Sequence, residues 1–340
     1  MNIETIAHLS GVSRSTVSRV INNSPKVSDE TRQRVLDVLR QTNFQPNLAA
    51  RSLAAGSTRI LGLVIPMGVS HLFIDPFFPQ LIQGIYMACT ARDYSIMLWL
   101  ADPEFERRTI RQVLYSGLVE GVILSSMPHD DPLIDALSEA RRPFVVVGHV
   151  TGRDHISYVD VDNVESARQA TLHLARMGRK RIASITGPLN MIAGQDRRQG
   201  YELALQQSGL AIDPSLVVEG DFTQEGGYQG MLLLLPHKPD AVFVASDAMA
   251  QGALRALSET GNHVPEEVAI VGFDDMPFAA HTTPPLTTVR QPIHRMGSMA
   301  AEMLIDIIES RAAQPRGTRL PTELVVRASS GFILERSFVQ

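Results

Sequence analysis

From Ile60 onward the chain keeps returning to one pattern: a short run rich in Val and Ile, then a longer stretch with apolar residues at helical spacing. The runs "ILGLVIP", "YSIMLWLA", "VEGVILSS" and "RPFVVVGH" form a first set, and "KRIASIT", "AVFVASD" and "VAIVGFDD" a second. Between them lie stretches such as "PFFPQLIQGIYMACTARD", "VESARQATLHLARMG", "QDRRQGYELALQQSG" and "MAQGALRALSETG". Near-continuous apolar strands are those buried on both faces, and parallel strands need a crossover long enough to hold a helix. The pattern therefore predicts an α/β body made of two doubly wound parallel-sheet subdomains. With 340 residues, 44% of them hydrophobic, the chain is long enough for more than one core.

Residues 1–59 break the pattern. They carry eight Lys/Arg against four Asp/Glu, whereas the rest carries 23 against 32, within an overall charge of -5. A small basic head on an acidic body points to a polyanion as partner of the head alone. Cys89 is the one cysteine, so an internal disulfide is excluded and a reducing compartment fits. The opening "MNIETIAHLS" has Glu4 and no basic lead into an apolar run, unlike a secretory signal. No run approaches the ~18 apolar residues that read as a membrane span. A cytoplasmic protein without membrane attachment is expected.

Within the head, Thr5 is a candidate cap for a short helix, "IAHLS", that stops at Gly11, and Ser13 caps a second helix from about Arg14 to Asn22. Ala7, Gly11, Val17 and Val20 sit at the offsets where a helix-turn-helix needs a small residue, a turn residue and two core contacts. Ser28 caps a third helix, "DETRQRVLDVLRQ", whose Val35, Leu36, Leu39 and Phe44 are expected to close a small core. A small all-α helix-turn-helix head follows. Its second helix lies in the major groove, with Arg14, Ser15 and Arg19 as readers of base edges. Ser13, Thr16, Ser18 and Asn22 suit phosphate contacts, and Thr5 and Lys26 complete the expected DNA-binding set. The following "QPNLAARSLAAGST" reads either as a simple linker or as a short helix that folds only when docked.

These residues, from "TIAHLSGVSRSTVSRVINN" through "FQPNLAARSLAAG", "VASDAMAQGALRAL" and "VGFDDMPFA" to "PPLTTVRQPI", resemble the lactose-repressor/galactose-repressor (LacI/GalR) family of bacterial transcription regulators. The resemblance spans essentially the whole chain. It implies a helix-turn-helix domain over 1–46, a hinge helix over 47–58, and an effector-binding and dimerisation domain over 59–340. That domain would resemble a periplasmic sugar-binding protein, with one subdomain about 59–161 and 291–321 and the other about 162–290 and 322–340. Asn47, Ala50 and Leu53 fall on the hinge segment, with Leu53 at the position that wedges a minor-groove base step. A homodimer on a near-palindromic operator is implied, since one head reads only a half-site.

The resemblance also places a small-molecule effector, most readily a saccharide, in the cleft between the subdomains. Arg197 falls on the family's ligand-binding arginine and Asp275 on its aspartate, and together they are expected to bridge vicinal hydroxyls. Phe222 matches a stacking aromatic, or else packs in the core. Ser246 and Asp247, Asp274 and Asp275, and Ser125 end strands, where ligands bind in open parallel sheets. Phe73, with His71 beside it, and Asp75 border the same cleft, although a helix cap is a sufficient role for Asp75. His149 stands where many sugar-responsive members carry an acid, which leaves room for a phosphorylated or acidic ligand instead.

No Gly-rich dinucleotide fingerprint, Walker lysine loop, metal-spaced His pair or nucleophile elbow occurs in the sequence, and no cofactor is expected. Binding without chemistry is the favoured reading, with the effector acting as inducer. The alternatives are a corepressor-dependent regulator answering to a nucleobase or other metabolite, and an α/β binding protein or enzyme whose head meets some other partner.

Overall fold

The structure, a computed structural model, describes residues 2–21, 24–44, 57–65, 72, 75–100, 117–125, 128, 131–153, 155–310 and 315–331. The expectations for Asn22, Asn47, Ala50, Leu53, His71 and Phe73 fall outside these residues. The chain divides into two units, Met1–Arg59 and Ile60–Gln340.

In the first unit, α1 (Ile3–Ser10), α2 (Arg14–Ile21) and α3 (Asp29–Gln41) enclose one small core. Ile6, Val17 and Val35 are fully buried there, with Ala7 and Val20 nearly so. Gly11 ends α1 at φ 63°, a left-handed conformation that costs glycine little. Two expectations need correction. Asn2 caps α1, its Oδ1 accepting from the Thr5 amide at 2.9 Å, while Thr5 lies inside the helix. The helix starts earlier because Ile3 already packs on the core. Leu36 is 37% exposed, because the stripe that begins at Val35 returns to the core at Val38 and Leu39.

The second unit holds two six-stranded sheets. In chain order the first half has β1 (Ile60–Ile65), α4 (Phe77–Ala91), β2 (Ser95–Leu100), β3 (Gly121–Ser125), α5 (Pro132–Glu139), β4 (Phe144–Val147) and β5 (Tyr158–Val161). The second half has α6 (Asn163–Arg176), β6 (Ile182–Thr186), α7 (Ile192–Gln207), β7 (Val217–Glu219), α8 (Gln224–Leu234), β8 (Ala241–Val244), α9 (Asp247–Glu259), β9 (Ala269–Asp274) and β10 (Thr287–Arg290). The chain then returns for α10 (Ile293–Ser310) and β11 (Gly317–Leu320), which pack on the first sheet, before β12 (Glu323–Val325) joins the second. Strand order is β2-β1-β3-β4-β5-β11 in one sheet and β7-β6-β8-β9-β10-β12 in the other. All neighbours run parallel except β12, which is antiparallel to β10. It comes straight back from the first half, so no crossover helix turns it around.

The apolar runs are buried on both faces, as continuous parallel strands require. On β1, Leu61, Leu63 and Ile65 face α4 and α10, while Val64 faces the cluster around α5. The second sheet is likewise covered by α8 and α9 on one face and by α6 and α7 on the other. Among the described residues, no helix is long and apolar enough to cross a membrane. The α4–α10 crossing is close because Gly84 and Gly297 lie on it. A Cβ on Gly84 would run into the His294 carbonyl, and one on Gly297 into that of Leu81.

Gly84→Ala is expected to lower stability by about 2 kcal/mol, since overpacking a fixed backbone contact forces the helices apart. The midpoint of urea unfolding checks this, and an unchanged midpoint would show that the crossing has slack.

Candidate functional site

The head presents one polar face. Arg14, Ser15 and Arg19 are exposed along α2, Ser18 and Thr16 are half-buried, and Lys26 is exposed in the turn before α3. Ser13 Oγ accepts from the Thr16 amide at 3.2 Å, and shares hydrogen bonds with Ser15 Oγ at 2.8 Å and Thr16 Oγ1 at 2.9 Å. The hydroxyls at the start of α2 are thus ordered among themselves, at the positive end of the helix where an anion is favoured. Arg14 lies 3.8 Å from Glu4, with both side chains mostly exposed, a weak pairing that a competing phosphate displaces easily. Thr5 is exposed and donates to Asn2 Oδ1 at 2.9 Å.

In the body, a cavity of about 170 Å³ opens between the two sheets. Its polar lining comes from strand ends and from the residues that cap the next helix. Asp75 Oδ1 accepts from the Phe77 amide at 2.9 Å, and Asp131 Oδ1 from Leu133 at 2.8 Å. Thr223 Oγ1 accepts from Gly226 at 3.0 Å, and Ser246 Oγ from Met249 at 3.2 Å. Ser125, at the end of β3, is fully buried and its hydroxyl has no hydrogen-bond partner among the described residues. Phe222 lines the cavity at φ 64°, a left-handed conformation costly for a bulky side chain, with its ring pressed on Gly187.

Arg197, on α7, is the centre of this lining. Its Nε donates to Asn163 Oδ1 at 2.9 Å and its Nη1 to the Ala245 carbonyl at 2.6 Å. The guanidinium lies 3.7 Å from the Phe273 ring centroid and 5.9 Å from that of Phe222. Asp274 Oδ1 sits 3.7 Å from Nη1 and accepts from Gln291 Nε2 at 2.5 Å. Burial lowers the arginine's pKa and raises that of Asp274, since desolvation penalises both charged forms. Nη2 makes no hydrogen bond to a described residue, so a forked donor remains available in the cleft.

His149 lies in the same lining, its Nδ1 2.9 Å from Asp160 Oδ2 and 3.7 Å from Asp196 Oδ2. The hydrogen bond to Asp160 raises its pKa. Asp160 also accepts from the Val161 amide at 2.8 Å and from Asn163 Nδ2 at 3.1 Å, which links His149 through Asn163 to Arg197.

The structure therefore brings Asp75, Ser125, His149, Arg197, Phe222 and Ser246 together around the cavity. It does not bring Asp275 or Asp247. Asp275 turns away and accepts from Arg290 Nε at 2.7 Å and Arg327 Nη2 at 2.6 Å. The reason is strand geometry: consecutive residues at the end of β9 face opposite ways, so Asp274 takes the cleft. Asp247 is fully buried behind the wall, where it accepts from the Met276 amide at 2.7 Å and Thr288 Oγ1 at 2.6 Å, and burial raises its pKa. The sequence reading missed Asp160, Asn163 and Gln291, and it assigned the ligand-binding aspartate to Asp275 where Asp274 lines the cavity. Asp160 carried a signal, because an acid inside the apolar run "YVDV" has no place there without a partner.

Residues 2–47 match the family model described as bacterial regulatory proteins, lacI family, and residues 171–330 match a periplasmic binding protein-like domain. The HTH-type transcriptional regulator CelR of Thermobifida fusca is 41% identical over 96% of this chain and 97% of its own length. Among solved structures, a complex of the regulator CelR with cellobiose aligns at TM-score 0.77 and 40% identity, over 97% of this chain and 99% of that one. The lac repressor dimer bound to operator and the anti-inducer ONPF aligns at TM-score 0.86 and 26% identity, with the same coverage.

Asp275→Asn is expected to cost about 3 kcal/mol of stability, because it strips the counter-charge from the largely buried Arg327. Urea unfolding of the full chain reads the loss, and a variant as stable as the parent would remove Asp275 from its anchoring role.

Proposed function

Because the chain belongs to the lacI family of bacterial regulatory proteins, we propose that it represses transcription as a homodimer on a near-palindromic operator, and that a neutral saccharide in the cleft releases it. The observation that carries the ligand class is the balance of charge in the cavity. Five carboxyl groups line it, Asp75, Asp131, Asp160, Asp221 and Asp274, against Arg153, Arg197 and His149, so acids outnumber bases even with the imidazole protonated. Arg153 is already paired with Asp135. A phosphorylated or carboxylated ligand meets net repulsion there, whereas a sugar offers hydroxyls that accept from Arg197 Nη2 and donate to Asp274, with Phe222 beside its apolar face. The cellobiose complex of the similar regulator supports a disaccharide as the first probe.

Binding without chemistry is part of the same reading. Its support is that the cavity's polar groups are committed to caps and pairs, such as Asp75 to the Phe77 amide and Ser246 to the Met249 amide. On the DNA side, Arg14, Ser15 and Arg19 read base edges, Ser13, Thr16, Ser18 and Asn22 hold phosphates, and Leu53 enters the minor groove from the 47–58 segment. A protein that acts on the chromosome works in the cytoplasm. The ligand favours one angle between the two halves of the body, and operator affinity changes by the ligand's differential affinity for the two states.

Fluorescence anisotropy of the full chain on a near-palindromic duplex is expected to show tight, salt-dependent binding. Arg19→Ala should lose about 10-fold to 100-fold in affinity and relax sequence preference. Binding that ignores DNA sequence would overturn the operator reading.

A thermal shift with cellobiose, absent with a sugar phosphate and lost in Arg197→Ala, is the expected behaviour of the cleft. A shift with the sugar phosphate alone would reverse the ligand class. A ligand that tightens operator binding would make the protein a corepressor-dependent regulator.

A further inference from the structure

His149 is a titratable cleft residue that stands between carboxylates of the two halves of the body. It follows β4, at a point where the Gly148 amide still pairs with the Val159 carbonyl at 2.9 Å, so its backbone belongs to the first sheet. Asp160, 2.9 Å away, is on β5 of the same half, and Asp196, 3.7 Å away, is on α7 of the other. The charged groups acting on the imidazole are these two carboxylates and Arg319 from β11, while Arg197 from α7 acts on Asp196. Arg319 is 3.6 Å from Asp162, and Arg197 is engaged by Asn163 and Ala245, so neither cation is free to replace the histidine between the acids. A second contact crosses nearby, an antiparallel bridge between Pro128 and Met191.

A neutral imidazole with its proton on Nδ1 satisfies Asp160 and leaves Nε2 as an acceptor. Taking up a second proton adds a positive charge between two carboxylates and makes Nε2 a donor. Nε2 has no protein partner among the described residues, and His149 lines the cavity. We propose that His149 is a proton-dependent clasp: as the imidazolium it ties Asp160 of one half to Asp196 of the other, holds the cleft closed, and offers Nε2–H to a bound ligand. Only the last clause rests on the cleft being the effector site.

The pairing with Asp160 that raises the histidine's pKa sets the sign of the pH dependence. A group with a raised folded-state pKa contributes stability that is fully present below its unfolded value, about 6.5. That contribution is lost as the pH rises through the folded-state value.

The test needs no effector, so it separates the clasp from the saccharide reading. The His ε1 resonances of the full chain are titrated by NMR, and His149→Gln, which keeps a donor toward Asp160 but takes up no proton, identifies the signal. His149 is expected to titrate above the ordinary range, and Asp196→Asn to lower its pKa by about one pH unit, as removal of a nearby opposite charge does. In thermal unfolding, the extra stability of the parent at pH 6 relative to pH 8 should shrink in both variants. A histidine that titrates identically in Asp196→Asn would overturn the clasp, as would His149→Gln keeping the full pH dependence. Should His149→Gln fail to fold, Asp196→Asn alone, read by the disappearance of one high-titrating resonance, decides the question.

Discussion

A guanidinium buried as deeply as that of Arg197 costs several kcal/mol unless its charge and its donors are met, and much of the body is arranged around meeting them. Phe273 offers a ring face from β9, Ala245 a carbonyl after β8, Asn163 an amide oxygen at the head of α6, and Asp274 a carboxylate at the end of β9. The four partners come from three elements of the second half, with Phe273 and Asp274 both on β9, so the position of Arg197 fixes the ends of those elements relative to one another. Asn163 extends the network to Asp160 and thereby into the first half. What is left unmet, one edge of the fork, faces the cavity. A ligand that completes this set is held by groups whose places were already fixed by folding, which limits the ordering cost of binding.

The fold was legible because parallel sheets write themselves into sequence as unbroken apolar runs, and "AVFVASD" and "VAIVGFDD" became β8 and β9 with their polar ends at the cleft. The antiparallel β12 was not legible. "ELV" is too short to show a period, and its pairing depends on where the chain crosses between the halves. In the head, periodicity located α1, α2 and α3. It misplaced the cap of α1, because Asn2 and Thr5 are both acceptable caps and only the packing of Ile3 decides between them. Residues of the cleft were legible where a motif carried them, as with Arg197, and illegible where side-chain direction was the deciding fact. Asp274 and Asp275 are adjacent and chemically identical, yet one lines the cavity while the other anchors Arg290 and Arg327. No residue count separates them, only the pleat of β9 and the turn that follows at φ 55°.

The two polar faces of this protein, α2 in the head and the cleft in the body, are built on the same device. A short side chain that caps a helix satisfies an amide left over by the end of that helix. In the head, Ser13 caps α2 and sets its hydroxyl beside those of Ser15 and Thr16. In the body, Asp75, Asp131, Thr223 and Ser246 cap helices at the carboxyl ends of strands. That is also the edge of the sheet where the cavity lies. Capping oxygens are consequently pre-oriented and partly spent, since each already accepts a hydrogen bond from the helix that it caps.

This double use couples stability to recognition at particular residues. Removing a cap costs about 1 kcal/mol of stability wherever it stands, so Ser246 or Asp131 is constrained by folding even without a ligand. Ser125 is different. Its hydroxyl is buried without a partner, a cost of about 1–3 kcal/mol with no structural return among the described residues. Under the saccharide reading, a ligand hydroxyl would supply the hydrogen bond that Ser125 lacks among the described residues. Ser125, Arg197 Nη2 and the strained Phe222 thus form the part of the cleft that folding does not explain, and these are the groups that the proposed saccharide would engage.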